Sequence, residues 1–143
     1  MPEILVAEDN PADVYLIREA LREHSVDCTV RVASDGRDVL DIIAPGQSNA
    51  DAGQLGLIIL DLNLPRHDGI EILQQLRATP EFAHIPVVVL TSSDSPRDRL
   101  VANQVGATRY MRKPSSLDQF LSLGAIFKDL LGQTQTQRKA AGL

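Results

Sequence analysis

The chain has 143 residues, enough for one domain with a sizeable hydrophobic core. Its net charge of −5, from 14 basic and 19 acidic residues, argues against broad nucleic-acid binding, and an aromatic content of 3% argues against stacking on bases. The only cysteine, Cys28, excludes an internal disulfide and a cysteine-paired metal site, which fits a reducing cytoplasmic setting, and no apolar run approaches membrane-spanning length.

Glu3 to Ala7 is a short apolar run that predicts a first strand ending in Glu8 and Asp9. Asn10 is a good N-cap and Pro11 a good first helical residue. Val14, Ile17 and Leu21 recur at helical spacing, to a helix end near His24-Ser25. Cys28 to Ala33 alternates as a half-exposed strand does. Cys28 itself reads as a small buried hydrophobe. Val39, Leu40, Ile42 and Ile43 form a second helical face, stopped by Pro45-Gly46. Residues 45–56 lack periodicity and read as an exposed loop, long for a compact domain. Leu57-Ile58-Ile59-Leu60 then predicts a strand covered on both faces, closing on Asp61. Asp68-Gly69 precedes a helix with Ile70, Leu73 and Leu76. Pro86 opens the run Val87 to Leu90, which leads into Thr91. A helix from Pro96 closes at Gly106. Thr108 to Arg112 is a short edge strand running into Lys113-Pro114. Ser115 or Ser116 caps a last helix, in which Leu117, Phe120, Leu121, Phe127 and Leu131 suit the core. Leu123, Ile126 and Leu130 form a second stripe, wider than one core-facing helix needs. Residues 1–132 form the expected domain, and residues 133–143 read as a polar, flexible tail.

Five strands alternating with five helices specify a parallel sheet with helices on both faces. In such a sheet every strand ends on the same edge, where ligands bind. Glu8, Asp9, Asp61, Thr91 and Lys113 therefore meet there, each group from the end of its own strand. Taken singly each has a plainer reading. An acidic pair before a helix serves its dipole, a threonine ends a strand, and a lysine is solvated. Their joint arrival is harder to explain that way. Clustered carboxylates raise a pKa or recruit a cation, and oxygen-only ligands favour a hard ion such as Mg2+. A lysine and a hydroxyl beside them suit a phosphoryl group, and Asp61 is placed to accept it as a nucleophile. The ring of Tyr110 suits simple core packing.

These residues resemble a response-regulator receiver domain of two-component signalling. The motifs are Glu8-Asp9 after strand one, Asp61 after strand three, Pro65 and Asp68-Gly69 beyond it, Thr91 after strand four and Lys113-Pro114 after strand five. Residues 8–13 and 60–66 further resemble single-domain regulators of bacterial phytochrome-type histidine kinases. The resemblance implies a flavodoxin-like (βα)5 fold with strand order 2-1-3-4-5. It implies that Asp61 accepts a phosphoryl group from a sensor histidine kinase. Mg2+ would be held by Asp9, Asp61 and the Asn63 backbone carbonyl, with Glu8 acting through water. Lys113 and Thr91 would bind phosphoryl oxygens, Thr91 and Tyr110 would form the switch, and the bond to Pro114 would be cis. Glu8 departs from the family, which more often has Asp there. Asn63 and Ser93 flank the approach to the acceptor, positions that influence phosphoryl lifetime in this family.

The resemblance also implies a phosphoacceptor signalling domain that assists its own phosphorylation and dephosphorylation, not an enzyme. An aspartyl-phosphate phosphatase would carry a second Asp where Asn63 stands. No glycine-rich nucleotide loop follows a strand. Eleven residues follow Gly132, too few for a DNA-binding domain. A stand-alone regulator with protein–protein output is therefore expected, including a homodimer through the face of helix four, strand five and helix five. The competing expectation is a degenerate receiver that acts as a constitutive interaction module. It is disfavoured because Asp9, Asp61, Thr91 and Lys113 are all present.

Overall fold

The computed structural model describes residues 1–44 and 55–140. Its elements in chain order are β1 (Glu3–Ala7), α1 (Pro11–Glu23), β2 (Thr29–Ala33), α2 (Gly36–Ile43), β3 (Leu55–Leu60), α3 (Gly69–Ala78), β4 (Val87–Thr91), α4 (Pro96–Val105), β5 (Arg109–Arg112), α5 (Leu117–Ser122) and α6 (Gly124–Ala140). The five strands form one sheet in the order β2-β1-β3-β4-β5, every pair parallel. This is the expected flavodoxin-like order. Among the described residues, no helix is long and apolar enough to cross a membrane.

The period of two along a strand divides the core into two layers. Ile58 and Leu60 of β3 point to one face and pack with Leu5 of β1, Val39 and Ile43 of α2, Leu73 and Leu76 of α3 and Ala102 of α4. Leu57 and Ile59 point to the other face and pack with Ile17 and Leu21 of α1, Phe120 of α5 and Phe127 of α6. All six residues of β3 are buried, as a central strand covered on both faces requires. The helix starts are fixed by side-chain caps. Asn10, Asp35, Asp68, Ser95 and Ser116 each accept a bond from a backbone N–H of the first turn.

Four expectations need correction. First, most of the proposed loop, residues 45–54, lies outside the described residues, but Leu55 and Gly56 already belong to β3. Second, the last helix is two. A Cβ at Gly124 would collide with the carbonyl oxygen of Ala20 in α1, so the absence of a side chain lets the two helices touch there. Leu123 and Leu130 are buried with Phe127, while Leu117, in the first turn of α5, is 58% exposed. The second apolar stripe is thus part of the core rather than a free face. Third, α6 continues past residue 132. The hydroxyl of Thr134 donates to the carbonyl of Gly56, which ties the polar stretch to the start of β3. Fourth, Cys28 is half-buried, not fully enclosed.

Candidate functional site

The parallel pairing fixes the heights at which the strands end. The Asp61 N–H donates to Ala7 O at 3.0 Å, and the Glu8 N–H donates to Ala33 O at 3.0 Å. The acidic groups that follow β1 and β3 are therefore neighbours. On the other side, the Lys113 N–H donates to Thr91 O at 2.8 Å, which places the residue after β5 beside the end of β4. Below Asp61 the chain must turn sharply into α3. A Cβ at Gly69 would lie against the backbone of Leu62, so only glycine lets the α3 start close against that turn.

Five of the expected residues come together. Asp61 and Glu8 are 4% and 3% exposed, Thr91 is fully buried, Lys113 is half-buried and Asp9 faces solvent. One carboxylate oxygen from each of Glu8, Asp9 and Asp61 lies within 4.8 Å of the others. This all-oxygen set suits a hard divalent cation. Lys113 Nζ stands among three carboxylates, at 2.7 Å from Asp13 Oδ2, 2.8 Å from Asp61 Oδ2 and 2.9 Å from Glu8 Oε2. The second Asp61 oxygen accepts the Asn63 N–H at 2.9 Å, and Glu8 Oε1 accepts the Asn10 N–H at 3.0 Å.

The two buried carboxyls are pushed apart in acidity. Burial drives Glu8 up to about 7, against the opposing pull of Lys113 and the Asn10 N–H, with the Asp61 charge adding to the rise. Burial also acts to raise Asp61, but the hydrogen bonds from Lys113, from the Asn63 N–H and with Glu8 outweigh it and hold Asp61 below the usual carboxylate range. Burial acts to lower Lys113, but Asp13, Asp61 and Glu8 reverse that and keep it firmly protonated. The site therefore presents an ionised Asp61, a protonated lysine and a carboxyl, Glu8, that holds a proton readily. An ionised carboxylate is the nucleophilic form.

The hydroxyls of Thr91 and Tyr110 bond neutral groups. Thr91 Oγ1 accepts from Asn63 Nδ2 and from the Ser93 N–H, both at 3.3 Å. Both acceptor positions of the hydroxyl are thereby used, which leaves its proton free to donate. The Tyr110 hydroxyl donates to Ser93 O at 3.2 Å, and the Arg99 guanidinium lies 5.1 Å above the Tyr110 ring. Tyr110 is thus already turned toward the loop after β4. Ser93 Oγ is held by Asp98 Oδ2 at 2.7 Å.

One expectation fails here. Among the described residues no peptide bond is cis, so the Lys113–Pro114 bond is trans. Trans is the lower-energy form of an X–Pro bond, and the four-carbon lysine stem reaches Asp61 from it. Sequence reasoning also missed Asp13 as a partner of Lys113. The available signal was Pro11 at the first position of α1, which puts Asp13 in the first turn at the sheet's ligand-binding edge. Its meeting with Lys113, 100 residues away, depends on how α1 and β5 lie in space.

Similarity to known proteins follows the same geometry. The profile of the response regulator receiver domain matches residues 4–123. Response regulator Rcp1 of Synechocystis sp. is 31% identical over 120 residues, covering 84% of this chain and 82% of that protein. Response regulator MprA of Mycolicibacterium vanbaalenii is 36% identical over 119 residues, and there the chain spans only about half the relative, 47% of its length. Among solved structures, the phosphorylated cyanobacterial phytochrome response regulator RcpA matches with a TM-score of 0.82 at 32% identity, over 93% of this chain and 95% of that one. The Mn(2+)-bound form of response regulator Rcp1 matches with a TM-score of 0.76 at 30% identity, over 87% and 89%.

Proposed function

Because the chain belongs to the response-regulator receiver family, we propose that Asp61 accepts a phosphoryl group from a phosphohistidine on a sensor histidine kinase. One Asp61 oxygen attacks phosphorus as the P–N bond breaks, and the departing imidazole keeps the electron pair and takes up a proton. The observation that carries this reading is Lys113 Nζ at 2.8 Å from Asp61 Oδ2, beside carboxylate oxygens of Glu8, Asp9 and Asp61 within 4.8 Å of one another.

Each residue has a task in that reaction. Asp9, Asp61 and the Asn63 carbonyl would hold Mg2+, with Glu8 acting through water. When bound, the ion would supply positive charge against the phosphoryl oxygens. Lys113 turns the N–H now donated to Asp61 toward a phosphoryl oxygen. The Thr91 hydroxyl donates a hydrogen bond to another. As Thr91 moves, its bonds to Asn63 and the Ser93 N–H loosen, and the change reaches Tyr110 through Ser93. Phosphorylation would add about −1.5 to −2 of charge to this edge.

The likeness to a cyanobacterial phytochrome response regulator supports a kinase of the phytochrome type as the donor. A donor charged from ATP is cytoplasmic, and this chain works in the same compartment. Output is a phosphorylation-controlled protein–protein contact on the face of α4, β5 and α5, where Leu100 and Leu117 stand exposed.

The test is phosphotransfer from candidate phytochrome-type kinases in Mg2+. The wild-type protein becomes labelled through an acyl phosphate that is lost in alkali, and Asp61→Asn does not. Labelling retained in Asp61→Asn overturns the assignment.

A further inference from the structure

We propose that Asp13 is a positioning residue for Lys113, anchoring the ammonium in place while its Asp61 bond is exchanged for a phosphoryl oxygen. This rests on the reading of Asp61 as the phosphoacceptor.

A lysine ammonium has three N–H donors. All three are used here, and the bond to Asp13 Oδ2 is the shortest, at 2.7 Å against 2.8 Å to Asp61 and 2.9 Å to Glu8. The three partners differ in what happens to them. Glu8 and Asp61 belong to the oxygen cluster that suits a divalent ion, and Asp13 does not. Asp61 is also the group that is modified. Cation binding and phosphorylation thus each act on Glu8 or Asp61 and leave Asp13 as it was. Asp13 is the one carboxylate able to hold Lys113 throughout.

The plain alternative is that Asp13 serves α1, as acidic residues in a first turn do. The local bonds speak against that being its whole role. The cap of α1 is made by Asn10, whose side chain accepts the Ala12 N–H at 2.9 Å. The Asp13 carboxylate instead reaches across to the end of β5, and its side chain is only 18% exposed. Lys113 leaves the last strand at the edge of the sheet, with a strand on one side only. A flexible four-carbon stem there gains a defined position from a partner on the opposite side. Asp13 supplies it from α1.

The experiment is calorimetric titration of the wild-type protein, Asp13→Ala and Asp13→Asn, first with Mg2+ and then with beryllofluoride in saturating Mg2+. Loss of a charge-assisted bond that orients the lysine should raise the beryllofluoride Kd of Asp13→Ala by about ten-fold or more, with Mg2+ affinity changed much less. Asp13→Asn keeps an oxygen acceptor and should recover most of that loss. Asp13→Ala that binds beryllofluoride like the wild-type protein overturns the proposal. So does a parallel loss of Mg2+ and beryllofluoride affinity, which would mark a general structural role. Absence of beryllofluoride binding by the wild-type protein, or equal binding by Asp61→Asn, would remove the phosphoacceptor reading itself and the proposal with it.

Discussion

Around Lys113, three carboxylate oxygens lie within 2.9 Å of one ammonium, whereas around Thr91 and Tyr110 the bonds join neutral groups at 3.2 to 3.5 Å. Both groups sit on the same edge of the same sheet. The first is short, charge-assisted and largely buried, the kind of contact that is strong in a low dielectric and costly to leave half made. The second consists of longer bonds, each worth about 1 kcal/mol net or less. The short bond there, Ser93 Oγ to Asp98 Oδ2 at 2.7 Å, lies within the loop after β4 and α4 and not on the Thr91 or Tyr110 hydroxyl. A change of charge at Asp61 therefore meets a stiff neighbourhood on the lysine side and a yielding one on the hydroxyl side. That asymmetry gives the site a direction. On the function proposed above, the lysine side would define where a phosphoryl group sits, and the hydroxyl side would rearrange in response.

The comparison is tested most severely by removing its charged centre. Lys113→Met keeps an apolar stem but leaves Glu8, Asp13 and Asp61 facing one another without a cation. Breaking a buried ionic cluster in this way costs about 3 to 5 kcal/mol, so the urea midpoint should fall steeply in EDTA. Added Mg2+ should restore part of the loss, because a divalent ion opposes the same repulsion. Stability unchanged in EDTA would mean that the charges around Lys113 are better screened than their burial implies.

A smaller effect should appear with pH in the metal-free wild-type protein. Folding lifts Glu8 from an ordinary 4.5 to about 7, so the folded state keeps a proton that the unfolded chain has already released. Stability is thus fully present below the ordinary value and is lost as pH rises toward 7, by about 3 kcal/mol at most. Urea midpoints measured across that window in EDTA should decline, and Glu8→Gln should flatten the decline. A midpoint that rises through the window would contradict the burial of Glu8 as the cause. Asp61 works in the opposite sense, since its lowered value makes stability fall only in stronger acid.

Much of the charged half was legible in the sequence, for a physical reason. A run such as Leu57 to Leu60 marks a doubly covered strand, and parallel pairing then brings every strand end to one edge. Asp9, Asp61, Thr91 and Lys113 needed nothing more. Asp13 was hidden because its partnership depends on the lateral offset of α1 from β5, which no periodicity records. The same limit explains the last helix. By periodicity Leu123 and Leu130 form a second stripe on one continuous helix. In the structure the chain passes close to α1 at Gly124, Leu123 and Leu130 lie in the core, and Leu117 is exposed. Thr134 in a polar stretch gave no sign that its hydroxyl would bond Gly56. Each miss is a contact between distant segments decided by packing, not by local composition.

The hydroxyl half is probed by Tyr110→Phe, which removes a single bond. The lost contact is the hydroxyl donation to Ser93 O at 3.2 Å. Ser93 is half-buried, so its carbonyl can turn to water when the tyrosine hydroxyl is gone. The ring remains, and with it the stacking of Arg99 at 5.1 Å, which depends on the aromatic face and not on the hydroxyl. The expected cost in urea unfolding is therefore about 1 kcal/mol or less, well below that of Lys113→Met. Labelling of Asp61 should proceed as in the wild-type protein, since Tyr110 bonds the Ser93 carbonyl and not the acceptor. Phosphorylation-dependent binding of a partner should weaken, because the loop after β4 loses the bond that ties it to β5. A loss of several kcal/mol, or a failure to label, would place Tyr110 within the stiff half of the edge and erase the division between the two.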